Sequence, residues 1–155
     1  MNKPLILVIN DDGISAPGIR KLISIMNDFG KVVVVAPEGP QSGMGHAITI
    51  NATLRCDKVV IDDGPQIEYA VSGTPVDCVK LAVNQILERK PDLCVSGINH
   101  GSNSSINVIY SGTMSAAVEG ALEEIPSIGF SLLDFSHDAD FSEGEQYIRK
   151  ITASV

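Results

Sequence analysis

The sequence is poor in basic side chains and in long hydrophobic runs, and each shortage excludes a class of protein. Its 155 residues include 11 lysines and arginines against 19 aspartates and glutamates, a formal net charge of −8. Binding to a nucleic-acid duplex requires clustered lysine and arginine to neutralise phosphates, so a duplex-binding protein with a basic face is excluded. No apolar run approaches the roughly 20 residues that span a bilayer, and no membrane partner is expected.

Cysteine is also scarce, and its pattern indicates a cytoplasmic protein. Cys56, Cys78 and Cys94 are odd in number, widely spaced and form no CxxC pair. This is the pattern of buried thiols in a reducing compartment rather than of a disulfide framework or a zinc site. The N-terminal apolar run stops at Asn10 and lacks the long apolar region and cleavage site of a signal peptide.

Several common nucleotide-binding and hydrolase motifs are missing. No GxGxxG follows the first apolar run, and neither GxxxxGK[ST] nor GxSxG occurs. Binding of a dinucleotide cofactor, P-loop hydrolysis and serine-hydrolase chemistry therefore lose their usual support.

The apolar runs that are present are short, β-branched and continuous, a pattern typical of strands buried on both faces of a parallel sheet. They cover residues 5–9, 32–35, 93–95 and 127–130. Helical patterns separate them: a stripe from Ile19 to Met26, a capping-box start at Thr74-Pro75-Val76-Asp77, and an alanine-rich stretch at 113–124. The alternation predicts an α/β fold with a Rossmann-like, doubly wound and mostly parallel sheet.

Two segments depart from this alternation. Residues 48–50 and 66–71 are extended and alternating, which predicts an antiparallel excursion around 48–71. Residues 142–155 begin an amphipathic helix that has no C-terminal cap before Val155. We therefore expect one domain over residues 1–155, interrupted at its C-terminal side.

The most polar loops follow three of the predicted strands, at residues 10–13, 36–46 and 96–103. In an open α/β sheet, ligands bind beyond the carboxyl ends of the strands, so these loops are expected to form one site. His46 and His100 lie in them and could contact substrate or act as an acid, although loop histidines are more often surface residues. Elsewhere, His137 is expected at the surface, and Glu119, Glu123 and Glu124 are interpreted as a solvated helix face.

Asp11 and Asp12 are candidate metal ligands directly after the first strand. Adjacent carboxylates repel each other unless a cation or a proton intervenes. With Ser42 and Asn99 as neutral oxygen ligands from the neighbouring loops, the set suits one Mg²⁺ or Mn²⁺ ion better than zinc. A simple Asp-Asp-Gly turn remains the alternative, and the position after a buried strand favours the metal site.

The start of the third helix is a candidate phosphate site. Free backbone N–H groups and the helix dipole attract an anion there, whereas ordinary N-capping by Ser111 or Thr113 is the alternative. Residues 97–113 hold almost no core side chains, and such a stretch is long for a connector in a compact domain. The predicted substrate contacts are Gly43, Asn103, Ser111, Gly112 and Thr113.

Five blocks in the same order along the chain resemble the SurE family of stationary-phase survival proteins, which are metal-dependent nucleotidases. The blocks are Ile6–Gly13 with Ala16–Ile19, Val35–Pro37 with Gln41–Gly43, Gly73–Val79, Pro91–Leu93 with Ser96–Asn103, and Tyr110–Thr113. The resemblance implies hydrolysis of nucleoside 5′- and 3′-monophosphates to nucleoside and phosphate. It also implies one divalent cation at Asp11, Asp12, Ser42 and Asn99.

The chain departs from the family pattern in two local ways and in length. Ser104-Ser105 stand where a glycine is common, and Met114 stands where valine is usual. Family members continue past this point with a portion used in assembly. The resemblance therefore implies a truncated core here, and a homodimer or homotetramer for the full-length protein.

The predicted mechanism is metal-assisted hydrolysis in which Asp11 and Asp12 are the catalytic residues and one of them orients or deprotonates the water. An aspartyl-phosphate phosphatase using Asp11 as nucleophile is a rival, although Gly13 stands where such enzymes have a second aspartate. A zinc deacetylase would need histidine ligands, and position 10 is Asn. A non-catalytic nucleotide- or metal-binding module is the alternative outside enzymes. Base preference, 5′ or 3′ preference and the metal used are left open.

Overall fold

The computed structural model describes residues 3–136 and 138–155, so His137 and its expected surface position lie outside the described residues. Its strands are β1 (Leu5–Ile9), β2 (Lys31–Pro37), β3 (Cys56–Val59), β4 (Ile67–Val71), β5 (Leu93–His100) and β6 (Ser127–Leu132). They form one sheet in the order β3-β4-β2-β1-β5-β6. Every neighbouring pair is parallel except β3 with β4, which confirms the mostly parallel sheet.

Helices cover both faces of the sheet, as the doubly wound fold requires. They are α1 (Pro17–Met26), α2 (Pro75–Leu81, continued by a π-helical turn at Ala82–Ile86), α3 (Gly112–Leu122) and α4 (Glu145–Thr152), with 3₁₀ turns at Ser105–Ile109 and Phe141–Gly144. Ile6 and Val8 pack in a core with α1 and α4, whereas Leu7 and Ile9 pack in a second core with α2 and α3. Successive strand residues point to opposite faces, so a strand buried on both sides must be apolar throughout. None of the described helices is long and apolar enough to cross a bilayer.

The antiparallel excursion is present, but one of its predicted strands is wrong. β3 pairs antiparallel with β4, with Cys56 opposite Val71, and β4 also pairs parallel with β2. Residues 48–50 form no strand. Instead, Thr49 donates to Asp77 through both its backbone N (3.0 Å) and its Oγ1 (2.6 Å). The backbone donor of Thr49 is therefore used by a helix cap rather than by a strand ladder.

The third predicted strand is longer than its apolar run. β5 continues to His100, so Asn99 and His100 lie at the end of a strand and not in a loop. Its pairing with β6 is irregular between Ser96 and Asn99. Residues 105–109 are 3₁₀-helical. The stretch 97–113 is therefore not one continuous loop, because residues 97–100 belong to β5 and residues 105–109 form a 3₁₀ turn.

The start of α2 forms the predicted capping box. Asp77 N donates to Thr74 Oγ1 (3.1 Å), and Thr74 N donates to Asp77 Oδ2 (2.9 Å). Both side chains are buried. Because Asp77 also accepts the two hydrogen bonds from Thr49, one carboxylate holds both the helix start and the 47–50 segment.

We expect Asp77→Ala to lower the free energy of unfolding by about 2 kcal/mol at pH 7, because the buried backbone N–H of Thr74 and the partly buried N–H of Thr49 lose their acceptor. Burial raises the pKa of Asp77, but the hydrogen bonds from Thr49 and Thr74 outweigh it and hold the pKa below its ordinary value. The stabilisation is therefore present above the unfolded pKa of about 3.9 and is lost as the pH falls through the folded value. Urea unfolding at pH 7 and pH 3 measures both effects. Exposed Asp63→Ala is the control, and an equal loss in the two variants would contradict the assignment.

Candidate functional site

Asp11 is buried just beyond the carboxyl end of the central strand β1, with 4% of its surface exposed. Its Oδ1 accepts a hydrogen bond from Thr113 Oγ1 at 2.6 Å, and Thr113 is fully buried in the first turn of α3. Gly112 allows this approach, because a Cβ at that position would lie 2.6 Å from the Asp11 Cβ. A buried carboxylate needs such a partner to offset its lost hydration. The N-terminus of α3 is therefore packed directly on Asp11.

Asp12 is half-buried beside Asp11. Burial raises the pKa of Asp12, and the adjacent charge of Asp11 raises it further, while His100 acts in the opposite direction. His100 lies at the end of β5, with its ring edge-on to Phe141 at a centroid distance of 4.8 Å. Two carboxylates so placed favour a positive charge between them, which suits a cation.

The loop after β2 is hydrogen-bonded to the turn that follows β1 and contains Asp11 and Asp12. Gln41 N donates to the Asp11 carbonyl oxygen (2.7 Å), and Ile14 N donates to the Pro37 carbonyl oxygen (2.8 Å). These contacts bring the loop that carries Ser42 against the end of β1. Ser42 and Gly43 are exposed, and Gly43 has a φ of +76°, which favours glycine.

Two hydrogen bonds donated by its side-chain amide fix the orientation of Asn99. Its Nδ2 donates to the His100 carbonyl oxygen (3.0 Å) and to Asn103 Oδ1 (2.9 Å). Both amide hydrogens are used, so Oδ1 is the atom of Asn99 that could bind a cation. Asn103 Nδ2 is buried and has no hydrogen-bond partner within residues 3–136 and 138–155. A buried donor in this position fits a phosphate oxygen.

The hydroxyl groups of Ser111 and Thr113, predicted to contact phosphate, are engaged in other hydrogen bonds. Ser111 Oγ accepts from Met114 N (3.1 Å), so Ser111 is an ordinary N-cap, and the Thr113 hydroxyl is bound to Asp11. An anion would therefore be held by the backbone N–H groups of Gly112 and Thr113, which have no intrahelical acceptor in the first turn.

One nearby oxygen was not singled out by the sequence. Asn10 donates through Nδ2 to the Gly13 carbonyl oxygen (2.8 Å), and its buried Oδ1 has no partner among the described residues. No group of three or more His, Cys, Asp or Glu side chains suited to a metal occurs in the described part of the chain. The available donors are two carboxylates and neutral oxygens, a set that fits Mg²⁺ or Mn²⁺ better than zinc.

The fold and these side chains define a doubly wound α/β protein with a paired aspartate at the carboxyl edge of its sheet. The chain belongs to the SurE family, since the family model described as "Survival protein SurE" matches residues 6–155.

Proteins that carry the SurE name are similar to nearly the whole of this chain. "5'-nucleotidase SurE" of Flavobacterium psychrophilum is 68% identical over 155 residues, which is 100% of this chain and 60% of that protein. The protein of the same name from Flavobacterium johnsoniae is 72% identical over 150 residues, 97% of this chain and 58% of its own length. The crystal structure of the SurE protein from Aquifex aeolicus has a TM-score of 0.87 at 41% identity, covering 98% of this chain and 60% of that one. The chain thus spans about 60% of the length of these relatives.

Proposed function

We propose that the protein is a metal-dependent phosphomonoesterase that hydrolyses nucleoside 5′- and 3′-monophosphates to nucleoside and phosphate. The observation that carries the proposal is the buried Asp11 carboxylate held by Thr113 in the first turn of α3. This contact joins a strong cation ligand to a helix N-terminus that can receive an anion, which are the two elements that phosphoryl transfer requires. The name 5'-nucleotidase SurE carried by the relatives supports the same class.

The proposed metal ligands are Asp11, Asp12, Ser42 and Asn99. One Mg²⁺ or Mn²⁺ ion bound there would supply positive charge to the phosphoryl oxygens and lower the pKa of a bound water. Thr113 fixes the Asp11 carboxylate, and the amide hydrogen bonds of Asn99 fix its Oδ1.

The remaining residues position the substrate. The N–H groups of Gly112 and Thr113, together with Asn103 Nδ2, hold the phosphate, and Gly43 in the loop after β2 is a further proposed contact. Either Asp11 or Asp12 orients or deprotonates the attacking water. Such pre-set donors stabilise the developing charge without reorganising during the reaction.

We also propose that the protein lies in the cytoplasm. The three cysteines are free, and two of them are buried, which suits a reducing cytoplasm. A homodimer or homotetramer is proposed for the full-length protein on the family resemblance.

The deciding experiment measures inorganic phosphate released from nucleoside 5′- and 3′-monophosphates. We expect release with Mn²⁺ or Mg²⁺, loss with a chelator, and recovery when metal is restored. Binding of Mn²⁺ and nucleotide without release would favour a non-catalytic module. A trapped phospho-enzyme would favour Asp11 as nucleophile instead.

Thr113→Val should weaken Mn²⁺ binding by about 10- to 100-fold, which is typical for loss of a side chain that orients a metal ligand. Valine keeps the volume of threonine but removes the donor to Asp11. Thr113→Ser keeps the hydroxyl and is the matched control. Titration calorimetry with Mn²⁺ compares the three proteins, and equal affinity in all of them would contradict the proposed role.

A further inference from the structure

A second buried carboxylate lies on α3, outside the proposed metal and phosphate contacts. The side chain of Glu119 is only 5% exposed, so its interpretation as part of a solvated helix face was wrong. Its Oε2 lies 2.7 Å from His46 Nε2, and its Oε1 lies 2.6 Å from Lys80 Nζ on α2. Glu119 therefore joins α3 to α2 and to the loop after β2.

Lys80 and His46 both contact the Glu119 carboxylate, and these contacts favour its ionised form. Burial raises the pKa of Glu119, but the hydrogen bonds from Lys80 and His46 outweigh it and lower the pKa below its ordinary value. Lys80 also lies 3.9 Å from Glu123, and its pKa is raised by its bond to Glu119. Removing one partner of a buried ionised carboxylate is costly. Loss of either His46 or Lys80 would therefore disfavour the present position of Glu119.

These contacts of Glu119 also hold a loop that has no regular secondary structure of its own. The 41–49 loop begins where Gln41 N binds the Asp11 carbonyl oxygen. In the middle of the loop, Gly45 N donates to the Tyr110 carbonyl oxygen (3.2 Å), and at its other end Thr49 binds Asp77. Ser42 lies between the attachments at Gln41 and Gly45 and is exposed.

α3 therefore contacts the proposed site at two points along its axis. Thr113 in its first turn holds Asp11, and Glu119 holds His46 about 9 Å further along, at 1.5 Å per residue. The helix is thereby tied both to the carboxylate that follows β1 and to the loop that carries Ser42.

We propose that Glu119 and His46 are positioning residues that keep the 41–49 loop, and with it Ser42, beside Asp11. This inference rests on the proposed function. Neither residue needs to touch metal or substrate, because a displacement of about 1 Å in a ligand-bearing loop can cost about 100-fold in rate.

The test compares Glu119→Gln and His46→Ala with Glu123→Gln, a control on the same helix that lies near Lys80 but outside the His46 contact. In metal-free protein, we expect faster amide hydrogen exchange confined to the 41–49 loop in the first two variants. With metal, we expect an increase of about 10-fold or more in the Mn²⁺ concentration for half-maximal phosphate release. Glu123→Gln should match the unmodified protein in both measurements.

The outcomes separate this inference from the proposed function. Unchanged exchange and Mn²⁺ dependence in His46→Ala, whose half-exposed position tolerates replacement, would overturn it even if Glu119→Gln fails to fold. Exchange that rises evenly across the chain would also overturn it, since that reports general destabilisation. If the unmodified protein releases no phosphate, the proposed function fails, and loop exchange together with Mn²⁺ affinity from calorimetry still decides the positioning role.

Discussion

Asp11→Asn is expected to lower phosphate release by at least about 10³-fold while the protein remains folded. Asparagine has the size of aspartate, and its Oδ1 can still accept the hydrogen bond from Thr113 Oγ1. The substitution therefore removes the negative charge with little change in packing. The measurement is kcat on a nucleoside monophosphate at saturating Mn²⁺, together with the urea unfolding curve.

Exposed Asp63→Asn removes the same charge far from the contacts of Asp11 and serves as the control. We expect it to retain full activity. Full activity of Asp11→Asn in the presence of metal would sink the proposed mechanism. Lost activity together with lost folding would assign Asp11 to stability instead.

Gly112→Ala should lower phosphate release by about 100-fold, through displacement of Asp11. The added Cβ would lie 2.6 Å from the Asp11 Cβ, 3.0 Å from its Oδ2 and 3.1 Å from Pro75 Cγ, so the helix or the carboxylate must move. Alanine is the better helix former by about 1 kcal/mol, so helix propensity cannot explain a loss. Mn²⁺ affinity should fall together with the rate.

Gly39→Ala is the matched control, because nothing lies within 4 Å of a Cβ at that position. It lies in the neighbouring loop after β2 and should leave activity unchanged. Unimpaired turnover and metal binding in Gly112→Ala would show that close packing of α3 on Asp11 is not required.

Much of the fold could be predicted from local sequence pattern. Continuous β-branched runs indicate strands buried on both faces, and the capping box at Thr74 marks the start of α2 because its bonds join residues three apart. The segment 48–50 was misassigned, since alternation alone does not reveal that Thr49 is bound to Asp77 on α2. β5 was predicted too short because its last residues are polar.

For the proposed site too, the positions of the residues along the chain could be predicted from local sequence, whereas the contacts between distant residues could not. The sequence alone places Asp11 and Asp12 directly after a buried strand and Ser111–Thr113 at a helix start, because those positions depend on neighbouring residues. The packing of α3 decides that Thr113 bonds Asp11 across 102 residues and that Glu119 meets His46 across 73. The spacing of residues in the sequence does not predict these contacts, because they form only when the sheet and the helix bury their apolar faces against each other. The shortage of basic residues excluded a basic nucleic-acid face and left a paired aspartate with helix N–H groups as the sequence's own alternative, whereas the hydrogen bond that joins the two comes only from the tertiary structure.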